Sequence, residues 1–138
     1  MTPSESLAHH RMARARATFD DADALIEGKR WNGALNRLYY AAFYAARALL
    51  ATQSLDSSRH SGVISLFQQH FVRTGRVPQE TARALPRLFE KRQTTDYGDY
   101  AEATRDEVAA LRVQVAAFLK ACEDLLPPPE SPARPTDD

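Results

Sequence analysis

At 138 residues the chain has room for one domain with a genuine core, and not for two. Eighteen Lys+Arg balance eighteen Asp+Glu, which excludes a global basic field that would hold nucleic acid non-specifically, so any RNA contact has to be local. The one cysteine, Cys122, excludes an internal disulfide, and neither an apolar leader nor an apolar run of membrane-spanning length is present; a cytoplasmic protein that makes no membrane contact is expected.

The chain reads as helix throughout. Thr2-Pro3-Ser4-Glu5 resembles a capping box with proline at the first helical position. Met12, Ala15, Phe19, Ala22 and Ile26 then make an amphipathic face that Gly28 stops. A second helix is expected over about Trp31–Thr52. Asp56, Ser57 or Ser58 is expected to cap a third, with Val63, Ile64, Phe67 and Phe71 facing inward and Gly75 ending it. Pro78 opens a fourth segment, and Pro86 inside it predicts a kink or a restart. Asp99 followed by Glu102 reads as the cap of the last helix, whose face is Val108, Leu111, Val115, Phe118, Cys122 and Leu125. On that face Cys122 is expected to be buried and inert. The fold class expected is all-α, an antiparallel four- to five-helix up-and-down bundle in one domain over residues 1–126. The Pro-rich tail, residues 127–138, lacks apolar content and is expected to be disordered.

The second helix carries most of the information. Leu35, Leu38, Ala42, Ala45 and Leu49 repeat at helical spacing, and Tyr39, Phe43, Ala46 and Leu50 repeat one position along. The apolar arc is wider than a surface helix needs, so this helix is either central to the bundle or covered by a second subunit, and a two-fold homodimer is expected. A third stripe, Arg37, Tyr40, Tyr44 and Arg47, offers stacking and phosphate contacts of the kind single-stranded RNA uses. The plainer reading has the arginine stems lying over the core, with their charges paired to Asp20, Asp21 or Asp23.

Arg92-Gln93-Thr94-Thr95-Asp96-Tyr97-Gly98-Asp99-Tyr100 is expected to be the loop between the last two helices. In the plain reading Asp99 caps a helix, Arg92 pairs with Asp96 and the tyrosines edge the core. That accounts less well for an arginine and paired tyrosines crowded into one short stretch. His60 at a helix start reads most simply as a hydrogen-bonded structural residue, with ligand binding as the alternative. His70 falls toward the edge of its helix's apolar face, and His9 and His10 point to different sides. Without a Glu-x-x-His pair, a glycine-rich phosphate loop or a nucleophile elbow, no metal and no cofactor are expected.

Three motifs in order resemble the HEPN family (higher eukaryote and prokaryote nucleotide-binding domain). They are Asn36-Arg37-x-Tyr39-Tyr40-Ala41-x-Phe43-x-Ala45-Ala46, then His60-Ser61-Gly62-Val63 with Phe67 and Phe71, then Arg92-x-x-x-Asp96-Tyr97-Gly98. The resemblance spans roughly Leu7 to Leu126. It implies a bundle of four or five helices, usually a homodimer, often an RNase or RNase-like toxin encoded beside a small nucleotidyltransferase antitoxin. The family's catalytic signature is an arginine, four to six residues, then a histidine. Arg92 falls on the arginine position, but Tyr97, Gly98 and Asp99 occupy the allowed histidine positions. An unperturbed tyrosine titrates about three units too high for efficient base catalysis near neutral pH.

The resemblance and the residues together imply a toxin–antitoxin or defence protein that binds RNA or a nucleotide at a cleft near Arg92, with a degenerate RNase site. Arg92 would hold a phosphate, Asp96 would orient it and Tyr97 would stand where the histidine is missing. Arg37, Tyr40, Tyr44 and His60 would bind. The alternative is a non-catalytic partner subunit of a small nucleotidyltransferase, and a third reading gives the Arg92 segment only a packing role.

Overall fold

The structure, a computed structural model, describes residues 1–98 and 102–128, with the side chains of Asp96 and Tyr97 left out. Among the described residues there are helices and no strand: α1 (Pro3–Glu27), α2 (Trp31–Thr52), α3 (His60–Phe67), α4 (Gln79–Ala82), α5 (Ala84–Tyr97) and α6 (Arg105–Asp124). The Pro-rich tail from residue 129 onward lies outside them.

Alanine spacing sets the main packing. In α1, Ala8, Ala15 and Ala22 recur every seven residues and are fully buried, with Met12 and Phe19 between them. In α2, Ala34, Ala41, Ala45 and Ala48 are equally buried. Small side chains let the two backbones approach along their length, and the pair forms the most extensive helix contact in the molecule. The connection is tight: Gly28 caps α1 with its N–H on the Ala24 carbonyl, and it is Lys29 that takes the left-handed conformation, at φ +58°.

α2 is the central helix. α6, α5 and α3 pack on the sides that α1 leaves open, so Leu35, Leu38, Tyr39, Leu49 and Leu50 are all fully buried within the single chain. Each large apolar side chain so buried contributes on the order of 1.5–3 kcal/mol. Of the two readings of α2, the central one accounts for these residues, because the chain's own helices cover them and they leave no apolar patch for a second subunit. The exposed large apolar side chains among the described residues are Met1, Leu7 and Val113.

The local devices depart from expectation at several points, each for a visible reason. Asp56 and Ser57 do not cap α3, whose N-cap is Arg59 with no side-chain cap. Asp56 is engaged by the Arg47 and Arg11 guanidiniums, and Ser57 Oγ accepts the Arg59 N–H at 3.2 Å. Past Phe67 the helix continues through a π turn, Gln68–Val72, which keeps Phe71 inward and stacked 5.5 Å from Phe67. Gly75 then reverses the chain at φ +78°. The restart expected at Pro86 occurs at Ala84, which leaves Pro86 in the first turn of α5, where its missing N–H has no helical acceptor to lose.

Two corrections bear on the site. The segment expected as a loop from Arg92 is helical as far as Tyr97, with Thr95 Oγ1 donating back to the Lys91 carbonyl at 3.2 Å. The last helix is capped not by Asp99, which lies outside the described residues, but by Thr104 in a complete capping box with Glu107. Glu107 also pairs with Lys91, tying α6 to α5. Asn32 Oδ1 accepts the Ala103 N–H at 2.8 Å and fixes the entry of α6 against the start of α2. Arg112 clamps α6 to α1 through Asp23 at 2.5 and 3.0 Å while lying over the Phe19 ring. Cys122 is fully buried, and burial pushes its thiol far up, so it is inert.

Candidate functional site

Tyr39 and Tyr40 sit at the middle of α2, where α3 and α5 converge on it. Tyr39 is on the core rhythm and has no exposed surface, while Tyr40 is one position along and only partly buried. Their rings meet edge to face at 5.1 Å. Over both lies the Arg92 guanidinium, 5.1 Å from each centroid. Arg92 reaches them because it shares the inner face of α5 with Leu85, Leu88 and Phe89, and the Phe89 ring lies 6.1 Å from Tyr39. A guanidinium held on two aromatic faces in partial burial is strongly attracted to the rings, which fix its plane.

His60 enters from the first residue of α3. Its Nδ1 is 2.8 Å from the Tyr39 hydroxyl, and its ring lies 4.3 Å from Phe43 and 5.9 Å from Tyr40. Burial, then the charges of Arg92 and Arg47, push its pKa below the ordinary 6.5, so the ring is neutral at pH 7. Burial pushes the Tyr39 phenol up to about 12 despite the opposing charge of Arg92.

The stripe along α2 continues the cluster. Arg37 lies 5.1 Å over the Tyr40 ring, with Nη2 donating to Asn36 Oδ1 at 2.7 Å. Tyr44 is 5.9 Å from Tyr40, and Arg14 of α1 covers its ring at 4.6 Å. Arg47 does not pair with an α1 aspartate. It donates to Asp56 at 2.9 Å, and Asp23, one of the partners expected for it, belongs instead to Arg112. Burial works against the Asp56 carboxylate, but hydrogen bonds from Arg47 and the Ser57 N–H, with the charges of Arg47 and Arg11, hold its pKa below the usual value.

Of the residues expected to form a site, Arg92, Arg37, Tyr40, Tyr44 and His60 come together on one face of the bundle. The side chains of Asp96 and Tyr97 lie outside the description, and so does the expected Arg92–Asp96 pairing. Sequence reasoning missed Tyr39 and Arg14. Tyr39 was absorbed into the apolar rhythm of α2, although its hydroxyl needs a partner when buried and that need was the available signal. Nothing in sequence separates Arg14 from the other arginines of α1. The face is a surface of stacked rings and guanidiniums, whereas the groove lined by Arg87, Glu90, Lys91 and Thr94 opens on the other side of α5.

The profile of the HEPN domain matches residues 8–125. The chain belongs to the HEPN family. It is 39% identical to a UPF0332 protein of Thermotoga maritima over 91% of this chain and 96% of that protein. It is 35% identical to a UPF0332 protein of Gloeobacter violaceus over 91% and 98%. A Methanocaldococcus jannaschii protein whose name reads "putative toxin" is 30% identical over 81% of this chain and 86% of that protein.

Proposed function

We propose that this HEPN protein is a toxin-type RNA-binding protein whose ligand-holding group is Arg92. One observation carries the reading: Arg92 is fixed on the faces of Tyr39 and Tyr40, beside Arg37. A phosphate meets a planar, preoriented guanidinium fork, and the partly exposed rings of Tyr40 and Tyr44 offer stacking surfaces that any base can use. The balanced formal charge makes this local cluster, and not a long-range field, the source of affinity. Membership of a family with toxin-named relatives supports placing that binding in a toxin–antitoxin or defence module. A second copy of the chain and a small nucleotidyltransferase antitoxin are the partners the reading takes from the HEPN resemblance. The copy is to be sought at the Arg92 end, since the apolar arc of α2 is already covered.

Fluorescence anisotropy of a labelled, mixed-sequence single-stranded RNA tests the reading. Wild type is expected to bind with an affinity that falls as salt rises, and Arg92→Ala to weaken binding about tenfold or more, with Arg92→Lys intermediate. Arg92→Ala is also expected to relieve growth arrest caused by expressing the chain alone. If wild type binds no RNA and Arg92→Ala only lowers the melting temperature, Arg92 serves architecture and the reading fails. Sedimentation at micromolar concentration checks the dimer.

A further inference from the structure

We propose that the solvent face of α6 centred on Val113 is a docking surface for the same face of a second copy, with the two α6 helices antiparallel across a two-fold axis. This contact is independent of the RNA-binding reading and separate from the Arg92 end. Arg92 reaches α2 from the inner side of α5, whereas this face of α6 is bordered by Arg87 and Lys91 on the outer side. Val113 is 67% exposed, against 41% for Met1 and 42% for Leu7. Ala109, Ala110 and Ala117, a turn to either side of it, are exposed as well. A lone exposed valine is ordinary, but the outer face of a surface helix carries charged or polar residues around it. On this face the apolar run is closed only by Asp106 on one side and Lys120 on the other.

The two charges select the occupant. Asp106 precedes Val113 by seven residues and Lys120 follows it by seven. Seven residues return to the same helix face within about 20° and advance about 10 Å along the axis. Turning a second α6 end for end about Val113 therefore sets each Asp106 level with the partner's Lys120. Ala109 then lies level with the partner's Ala117, and Ala110 with the partner's Ala116. Small side chains meet small ones, and the two backbones can close to about 8 Å. A parallel pairing would instead set aspartate against aspartate and lysine against lysine, which disfavours it.

The border of the face has room for such a helix. A cavity of about 240 Å³ lined by Glu80, Thr81, Val113, Gln114 and Ala117 opens between α4 and α6. A second, of about 290 Å³, lies between α5 and α6 and is floored by Ala110 and Leu111. Gln114 lines both, so they form one furrow beside the apolar face, into which side chains of a facing helix can insert. Lys120 and its present partner Asp124, 2.7 Å away, are both exposed. Exchanging that partner for a carboxylate across the contact therefore strands no buried charge. A single helix pair buries less than an obligate dimer does, so the contact is weak and concentration-dependent.

Cysteine placement tests the register. Native Cys122 is fully buried, so Val113→Cys carries one reactive thiol, on the two-fold axis. It is expected to form a disulfide-linked dimer under mild oxidation at micromolar concentration. Ala109→Cys alone is not, because two copies of position 109 lie about 12 Å apart along the helix axes, beyond disulfide reach. Ala109→Cys combined with Ala117→Cys is expected to link. Adding Arg92→Ala to Val113→Cys should leave the linking rate unchanged, so this contact and the RNA-binding reading fail separately. Sedimentation then reads the contact without a thiol. Val113→Glu is expected to weaken association about tenfold or more. Asp106→Lys and Lys120→Asp should each weaken it about threefold, and the two together should restore it. Equal linking at positions 109 and 113, or Val113→Glu sedimenting as wild type does, overturns the proposal and leaves the face to a partner of another sequence. A charge exchange that fails to restore association overturns the antiparallel register.

Discussion

The Tyr39 hydroxyl and His60 Nδ1 lie 2.8 Å apart, joining the middle of α2 to the first residue of α3. Tyr39 has no exposed surface, so the bond is shielded from water on that side. Tyr39→Phe keeps the ring and its contacts with Arg92, Phe43 and Phe89 but strands the imidazole nitrogen. A loss of about 1 kcal/mol is expected, within the usual range for a single buried hydrogen bond. Thermal unfolding followed by circular dichroism should show a drop of a few degrees. A melting temperature equal to wild type would mean that the bond contributes nothing to stability.

The depressed pKa of His60 gives stability a defined pH dependence. Below its ordinary value of 6.5 the unfolded chain binds a proton that the folded chain resists, because burial and the charges of Arg92 and Arg47 oppose it. The contribution is therefore complete above 6.5 and is lost as pH falls from there toward the folded pKa. The paired carboxylates lie in a separate window. Asp23, Asp56 and Glu107 have pKa values below their ordinary 3.8 to 4.5, so what they contribute is present above that range and lost below it. Denaturant midpoints measured from pH 8 to 5 should fall for wild type. His60→Asn should flatten that part of the curve and leave the steeper acid loss unchanged. An identical slope in the variant would assign the dependence to another group.

Much of the fold was legible because α1 and α2 obey a strict apolar period and have unambiguous ends. The Thr2-Pro3 start, the stop at Gly28 and the Trp31–Thr52 span all follow from local chemistry. The Arg92 segment was misread because Thr, Asp and Gly favour turns locally, while in the chain Thr94 and Thr95 satisfy their hydroxyls on the preceding turn. Asp99-x-x-Glu102 and Thr104-x-x-Glu107 are equivalent cap patterns in sequence, and only the packing of Ala103 on Asn32 and of Glu107 on Lys91 distinguishes them. In the site, the Arg37–Tyr40–Tyr44 stripe could be read from spacing along one helix. The meeting of His60 with Arg92 could not, because it depends on α3 and α5 both closing on α2.

The C-terminal end allows a graded truncation. His9 Nε2 donates to the Pro127 carbonyl at 2.8 Å, and His9, Met12, Leu126 and Pro127 line one cavity of about 420 Å³. Residues 130–138 contain no large apolar side chain. Deleting Glu130–Asp138 should leave the melting temperature unchanged within error. Deleting from Pro127 should lower it, since the His9 contact goes too, at a cost of about 0.5–1.5 kcal/mol. A drop in the shorter deletion would mean that the tail docks on the bundle.

Gly62 is two residues beyond His60, and its missing side chain shapes the loop that delivers that histidine. A Cβ built there would overlap Ser57 Oγ and lie 2.9 Å from Ser57 Cβ, closer than real Cβ contacts come. Ser57 cannot swing away without loss, because its Oγ accepts the Arg59 N–H at 3.2 Å. Nor can the loop drift freely, because Asp56 beside it is held by Arg47 and Arg11. Gly62→Ala must therefore push the 56–59 loop off the first turn of α3, at a cost of about 1–3 kcal/mol typical of overpacking. Ser57→Ala in the same chain removes only the hydroxyl overlap and should restore part of that loss. Ser57→Gly removes both contacts and should restore most of what the clash took, less the value of the lost hydrogen bond. The comparison is read as a double-mutant cycle in denaturant midpoints, where Ser57→Gly should cost less in the Gly62→Ala background than in wild type. Strict additivity of the two substitutions would show that the close approach of Gly62 to Ser57 does not hold His60 in place.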